Sequence, residues 1–320
     1  MLQWEPAIYE HKAALIGRDV FSVATSAKLL TEAMVAEYEC YSADWMTVGL
    51  DIYNVEAEAL GAYVTDLGRE SCPDIVAPPW DLDALPPLSF PAIPGAGRLQ
   101  MLLDTGHAVQ STIGRFTRIR IAVSGPVSLA SKLVGLEPLL MGLAANESSA
   151  QELLAFAASV VEAWSQHLRQ SGLDVIVFDS AASPPMFSPA LYRRAVFPLH
   201  QRLMTTLAKS GQIERPLIIG GDTATLLPSL AHCGASTILC DSASNAVEFA
   251  NAESHDRWTV RRNTNASLLP SENWRSYALQ FAQELRLFPH VIAGTGVLSY
   301  DANPQHFRRF RECVERDQDK

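Results

Sequence analysis

Seven short apolar runs in the chain each give way to a polar or glycine-rich patch. The patches are Gly49-Leu50-Asp51, Ser124-Gly125-Pro126, Asp179-Ser180, Gly220-Gly221-Asp222, Asp241-Ser242, Asn263-Thr264-Asn265 and Gly294-Thr295-Gly296. Carboxylates and amides in such places can hold a ligand by hydrogen bonds. A carboxylate can also move a proton if burial among like charges raises its pKa. Any one patch could be only a turn or a helix cap. Seven in succession point to a shared pocket, because α/β folds put their sites at the carboxyl ends of strands. Thiol chemistry is less well supplied. The five cysteines (Cys40, Cys72, Cys233, Cys240 and Cys313) form no CxxC pair, and their odd count and wide spacing argue against a disulfide framework. His232-Cys233-Gly234 has the look of a metal fragment, but adjacent residues rarely ligate one ion together, so it reads as structural. Gly95-Ala96-Gly97 follows a proline-rich loop and lacks the third glycine of a dinucleotide fingerprint.

The runs that must position these patches are Trp45–Leu50, Ile119–Val123, Asp174–Phe178, Pro216–Ile219, Thr237–Cys240, Trp258–Arg261 and His290–Ala293. Runs of this length suit strands buried on both faces, as in a parallel sheet. Helical patterns lie between them. In Asn146–Ser171, with Asn146 as the expected N-cap, Leu153, Phe156, Val160, Trp164 and Leu168 recur at helical spacing and Gly172 supplies the stop. Ser26–Tyr41, Pro189–Lys209, Ser271–Leu287 and Pro304–Arg316 read the same way. Alternating strands and helices imply an α/β fold, either a barrel or a doubly wound sheet. One stretch breaks the rhythm: seven of the nineteen prolines fall between Pro73 and Pro94, and they predict a long extended flap. No composition shift marks a second domain, so residues 1–320 are expected to form one domain.

Apolar residues make up 48% of the 320 and charged residues 19%, which excludes a disordered chain. Lysine and arginine total 25 against 35 acidic residues, a net charge of −10. With no basic stripe, nucleic acid and anionic membrane are poor partners. The amino-terminal stretch lacks a signal-peptide core, and no run approaches the ~18 apolar residues of a membrane helix. A reduced cytoplasm is the expected location.

The order of the strand ends carries a resemblance. Thr47-Val48-Gly49-Leu50-Asp51-Ile52-Tyr53-Asn54-Val55-Glu56-Ala57-Glu58-Ala59-Leu60-Gly61 resembles a segment of the uroporphyrinogen decarboxylase superfamily. Gly97-Arg98-Leu99, Ser124-Gly125-Pro126, Asp179-Ser180-Ala181-Ala182-Ser183, Asn263-Thr264-Asn265 and Gly294-Thr295-Gly296 follow in the same order as in that family. The branch most similar is that of the methylcobamide:coenzyme M methyltransferases. The resemblance implies a (β/α)8 TIM barrel of the uroporphyrinogen decarboxylase type with its site at the carboxyl-terminal mouth. The family's first strand follows an amino-terminal helix. Gly17–Ala27 offers no convincing strand, so strand one is expected to be degenerate or missing.

The departures from the family are informative. The resemblance implies zinc held by a His-x-Cys pair after the fifth strand and a cysteine in the last glycine-rich turn. Those positions are Ile218, Gly220 and Thr295 here, so no zinc site is expected, although thiolate and imidazole are the ligands zinc prefers. The decarboxylase branch's arginine-rich amino-terminal motif is absent, its tyrosine falls near Lys132, and its late histidine matches Thr295. Its aspartate survives as Asp51, which would hydrogen-bond pyrrole nitrogens. What remains is an acidic, amide-rich mouth of Asp51, Asn54, Glu56, Asp179, Asp222, Asp241, Asn263 and Asn265, with Thr295 in the vacated metal position. This set suits a neutral or cationic nitrogenous group better than a polyanion. The expectation is a zinc-independent methyltransferase of a corrinoid-dependent system. It would move a methyl group between a methylcobamide on a corrinoid protein and a small-molecule, non-thiol acceptor such as tetrahydrofolate. Asp51 or Asp222 would be the proton donor to the acceptor nitrogen. The alternatives are a decarboxylase or other lyase centred on Asp51, and a non-catalytic barrel that binds a corrinoid or tetrapyrrole.

Overall fold

The computed structural model describes residues 2–252 and 257–318. Eight parallel strands form one sheet: β1 (Gln3–Ile8), β2 (Trp45–Val48), β3 (Arg118–Ser124), β4 (Asp174–Phe178), β5 (Pro216–Ile218), β6 (Thr237–Cys240), β7 (Thr259–Thr264) and β8 (Val291–Leu298). Each strand from β2 to β8 pairs with its sequence neighbour, and β1 pairs with β8. Helices follow the strands and pack outside them, which makes a (β/α)8 barrel.

The first strand is present, upstream of the segment where it was expected. It is irregular: its ladder to β8 shifts register between Glu5 and Ala7, at Pro6, which has no amide hydrogen to donate. Between β1 and β2 a side chain replaces the ladder. The Trp4 N–H donates to Asp44 Oδ2 at 2.7 Å, and the Asp44 N–H donates back to the Trp4 carbonyl at 2.9 Å. One carboxylate thus satisfies a backbone donor that a missing strand partner would leave exposed.

β7 and β8 extend past the predicted runs, so Asn263 and Thr295 lie on strands rather than in loops. The glycine-rich segment of β8 pairs with β1 on one side and β7 on the other, and this double ladder holds it extended. The helix expected from Asn146 starts two residues later, at Ser148–Gln170. Asn146 takes a left-handed conformation (φ 63°) and closes the preceding helix Leu136–Ala145, a position an asparagine tolerates.

The main apolar core lies between the strands and the outer helices, with Trp164, Val160 and Leu153 of Ser148–Gln170 fully buried in it. The proline-rich stretch is largely extended, with a short helical turn at Leu82–Ala84 and a turn at residues 93–95. It packs on the barrel through Trp80 and Phe90, whose rings meet Phe156 at 6.4 and 5.7 Å. Among the described residues no single helix is long and apolar enough to cross a membrane.

Candidate active site

A cavity of about 450 Å³ opens among the carboxyl ends of the strands. It is of a size for a small ligand. Its walls are apolar, with Leu50, Ile52, Phe178, Ile218, Leu239 and Val297, and its polar groups come from several strand ends. Of the residues singled out from sequence, Asp51, Asn54, Asp241 and Asn263 line this cavity.

Asp51 is the most constrained of these. Arg98, immediately before the helix Leu99–Ile113, grips it with two parallel bonds, Nη1 to Oδ1 at 2.9 Å and Nη2 to Oδ2 at 2.7 Å. The same guanidinium reaches Glu58 at 2.5 Å and the Ala24 carbonyl at 2.9 Å. A bidentate charged pair fixes geometry as well as charge. With both oxygens held by Arg98, Asp51 presents a fixed hydrogen-bond acceptor to a ligand. Arg98 can sit so close because Gly97 brings the backbone against Glu58 and Ala59. A Cβ at Gly97 would lie 3.0 Å from the Ala59 nitrogen, in a left-handed backbone (φ 51°). Asn54 donates from Nδ2 to Asp51 at 3.3 Å and to the Pro73 carbonyl at 2.8 Å, which leaves its buried Oδ1 without a partner.

Five of the sequence candidates lie outside the cavity lining. Glu56 is buried and its two oxygens accept from the Ser124 N–H and hydroxyl, both at 2.9 Å. Burial pushes its carboxyl up from 4.5 to about 7, against the lowering effect of those Ser124 bonds. Asp179 is fully buried, caps the helix Pro126–Val134 through the Val127 and Ser128 N–H groups, and meets His200 Nε2 at 2.7 Å. His200 Nδ1 in turn meets the Tyr192 hydroxyl at 2.9 Å. Asp222 is exposed and accepts from the Ala224 N–H. Asn265 is exposed and caps the turn Ala266–Leu268. The Thr295 hydroxyl accepts from the Ala7 N–H at 3.1 Å. Two reasons account for the five. A buried polar group must be partnered, and a short polar side chain after a strand finds its partners first among local backbone amides. The mouth is accordingly less acidic than the sequence suggested, because its buried carboxylates are already engaged by the protein.

Sequence reasoning passed over the cations. Lys132 lines the cavity and forms an ion pair with Asp74, at the start of the proline-rich stretch. Arg261, on β7, lines it too and pairs with Glu5 of β1 at 3.0 Å. Glu5 also meets Arg120 of β3 at 2.5 Å, and Arg120 stacks over the Trp45 ring at 4.2 Å. Burial alone would raise the Glu5 carboxyl, but the two guanidiniums override it and hold it below the usual range. A sequence signal existed, since Arg120 and Arg261 interrupt runs that otherwise read as apolar strands. Tyr9, Glu10, Tyr53, Cys72, Asp74 and Ser180 complete the polar lining. The Cys72 thiol is pushed up to about 12 by burial and by the negative charges of Glu10 and Asp51.

The side chains present do not fit the zinc site that the resemblance implies. Ile218 and Gly220 offer no donor, and the Thr295 hydroxyl is taken up by the Ala7 amide. The Cys240 thiol, pushed up to about 11 by burial, accepts from Arg262 at 3.4 Å. Among the described residues no group of three or more His, Cys, Asp or Glu is placed to hold a metal ion.

The parallel barrel, the cavity at its carboxyl-terminal mouth and Asp51 in the turn after β2 define a class that the comparisons identify. The uroporphyrinogen decarboxylase (URO-D) family profile matches residues 1–316, and the chain belongs to that family. Among curated relatives, the methylcobamide:CoM methyltransferase MtaA of Methanosarcina barkeri is 24% identical over 215 residues, 66% of this chain and 61% of the relative. The MtaA sequence from strain Fusaro matches to the same extent. The match therefore spans less than two thirds of these relatives' length. Among solved structures, a methyltransferase from Methanosarcina mazei superposes with a TM-score of 0.85 at 16% identity, covering 99% of this chain and 94% of that one. A chain described as a vitamin-B12-independent methionine synthase from Listeria monocytogenes gives 0.54 at 11% identity, covering 100% and 98%. At these identities the two structures speak for the fold, and the family profile and MtaA place the chain near the methyltransferase branch.

Proposed function

We propose that the chain is a methyltransferase of a corrinoid-dependent system, moving a methyl group between a methylcobamide on a corrinoid protein and a non-thiol acceptor such as tetrahydrofolate. The observation that carries this reading is the similarity to MtaA, whose name states a methylcobamide substrate, together with a cavity whose lining departs from thiol activation by zinc. A cavity of about 450 Å³ suits the small acceptor, and the broader corrin would lie across the mouth.

In this reading the chain's own residues bind and orient. Asp51, held by Arg98, accepts from an N–H of the acceptor, and Asn54 Oδ1 and the Asn263 amide position the rest. The apolar walls exclude water, so these polar contacts act at low dielectric. Asp222, exposed and outside the lining, has no part in it.

The test is spectrophotometric consumption of methylcobalamin with tetrahydrofolate and, separately, with thiols. Turnover with tetrahydrofolate and little with thiols is expected, and Asp51→Asn should lower kcat/KM by about tenfold or more. Thiol-dependent turnover alone would overturn the choice of acceptor. A decarboxylase or other lyase is the second reading, favoured by the guanidinium of Arg261 in the cavity wall. It would be detected as carbon dioxide release from a carboxylated substrate without methyl transfer.

A further inference from the structure

The layer of side chains beneath the cavity is not electrically balanced. Glu5 stands between Arg120 and Arg261, and all three side chains are at least nine-tenths buried. One carboxylate against two guanidiniums leaves one positive charge inside the barrel, and Glu214 acts on Arg120 only as a minor, longer-range influence. Of the two cations, Arg261 is the one that reaches the cavity wall. Its Nη1 is taken by Glu5, and its Nε has no partner. Asn263, two residues further along β7 and so on the same inward face, also lines the cavity, and the Nδ2 of its amide, not the acceptor Oδ1, is the atom that can donate to an anion. None of the four carboxylates in the cavity wall is paired with Arg261. Asp51 is occupied by Arg98, Asp74 by Lys132, Asp241 accepts from the Gly221 and Ser242 N–H groups at 2.9 and 2.7 Å, and Glu10 meets the Cys72 thiol at 3.7 Å. An uncompensated buried cation is costly, and a bound anion relieves that cost. The planar guanidinium fork beside an amide favours a planar, two-oxygen anion.

We propose that the base of the cavity is a carboxylate seat. A small carboxylate-bearing substrate enters with that group turned down onto Arg261 and the Asn263 amide, and its body lies against Tyr9, Phe178, Ile218 and Leu239. This assigns an anionic end to the molecule that occupies the site, where the sequence alone favoured a neutral or cationic one. It rests on the cavity being the substrate site and does not depend on methyl transfer.

The test compares benzoate with its neutral isostere benzamide, by ligand-observed NMR titration of the full chain with no corrinoid present. Benzoate should bind at least about tenfold more tightly than benzamide. Arg261→Gln should abolish that preference and leave benzamide unchanged, because the Glu5–Arg120 pair that remains is neutral. If Arg261→Gln fails to fold, Asn263→Asp carries the same test, since it sets a negative charge beside the seat and should weaken benzoate selectively. Equal binding of the two probes, no benzoate binding, or a preference that survives Arg261→Gln or Asn263→Asp would overturn the proposal. Failure of methyl transfer with benzoate binding intact would instead sink only the methyltransferase reading.

Discussion

At the scale of single residues, the structure separates carboxylates that face a ligand from those that hold the protein together. Glu56 belongs to the second kind, and this gives it a measurable signature. Burial raises its carboxyl from 4.5 to about 7. The folded chain therefore keeps a proton that the unfolded chain loses between those values. The stability from this proton is fully present below about pH 4.5 and is lost as the pH rises through about 7. The span corresponds to a change on the order of 3 kcal/mol. Urea unfolding at a series of pH values should show stability falling across that window, and Glu56→Gln should flatten the fall. A wild-type profile that rises with pH across it would contradict the assignment. Asp51 was legible in the sequence because it follows a strand within a recognisable segment. Arg98 stood in a motif already noticed, but nothing in a linear sequence says that a guanidinium before a helix will turn inward to a carboxylate 47 positions away. Asp222 and Asn265 misled for the opposite reason, since a turn-capping residue and a ligand-binding residue are the same types in the same places.

At the scale of elements, most of the barrel could be read from apolar runs, because parallel strands buried on both faces are continuous in sequence. The first strand could not. Gln3–Ile8 carries Glu5 and Pro6, and these residues conceal a strand whose polar side chain points into the barrel and whose proline falls at a register shift. The Ser124-Gly125-Pro126 segment now has a physical account. Pro126 opens the helix Pro126–Val134, and the absence of a side chain at Gly125 lets Asp179 approach that helix's first amides. A Cβ at Gly125 would lie 2.2 Å from both Cβ and Cγ of Asp179. Gly125→Ala should therefore destabilise the fold by about 2 kcal/mol or more, read as a lowered denaturation midpoint. An unchanged midpoint would show that Asp179 can leave its capping position without cost.

At the scale of the whole molecule, the barrel takes an acidic chain of net charge −10 and gathers positive charge at its centre. The carboxylates that the sequence placed at the mouth are largely engaged by Arg98, Ser124 and helix amides, while Arg120 and Arg261 bring cations inward across the barrel. Composition gives the total charge of a chain, and only the closed sheet decides which side chains share its interior. The same closure puts Ile218 and Gly220 in the wall of the cavity, where the resemblance implies a zinc-held thiol. The proposed function requires this cavity to receive a methyl acceptor without such a site. Its most direct test is the rate of methylcobalamin demethylation with tetrahydrofolate after exhaustive treatment of the protein with a chelator. An unchanged rate is expected. A rate lost on chelation and restored by stoichiometric zinc would contradict it.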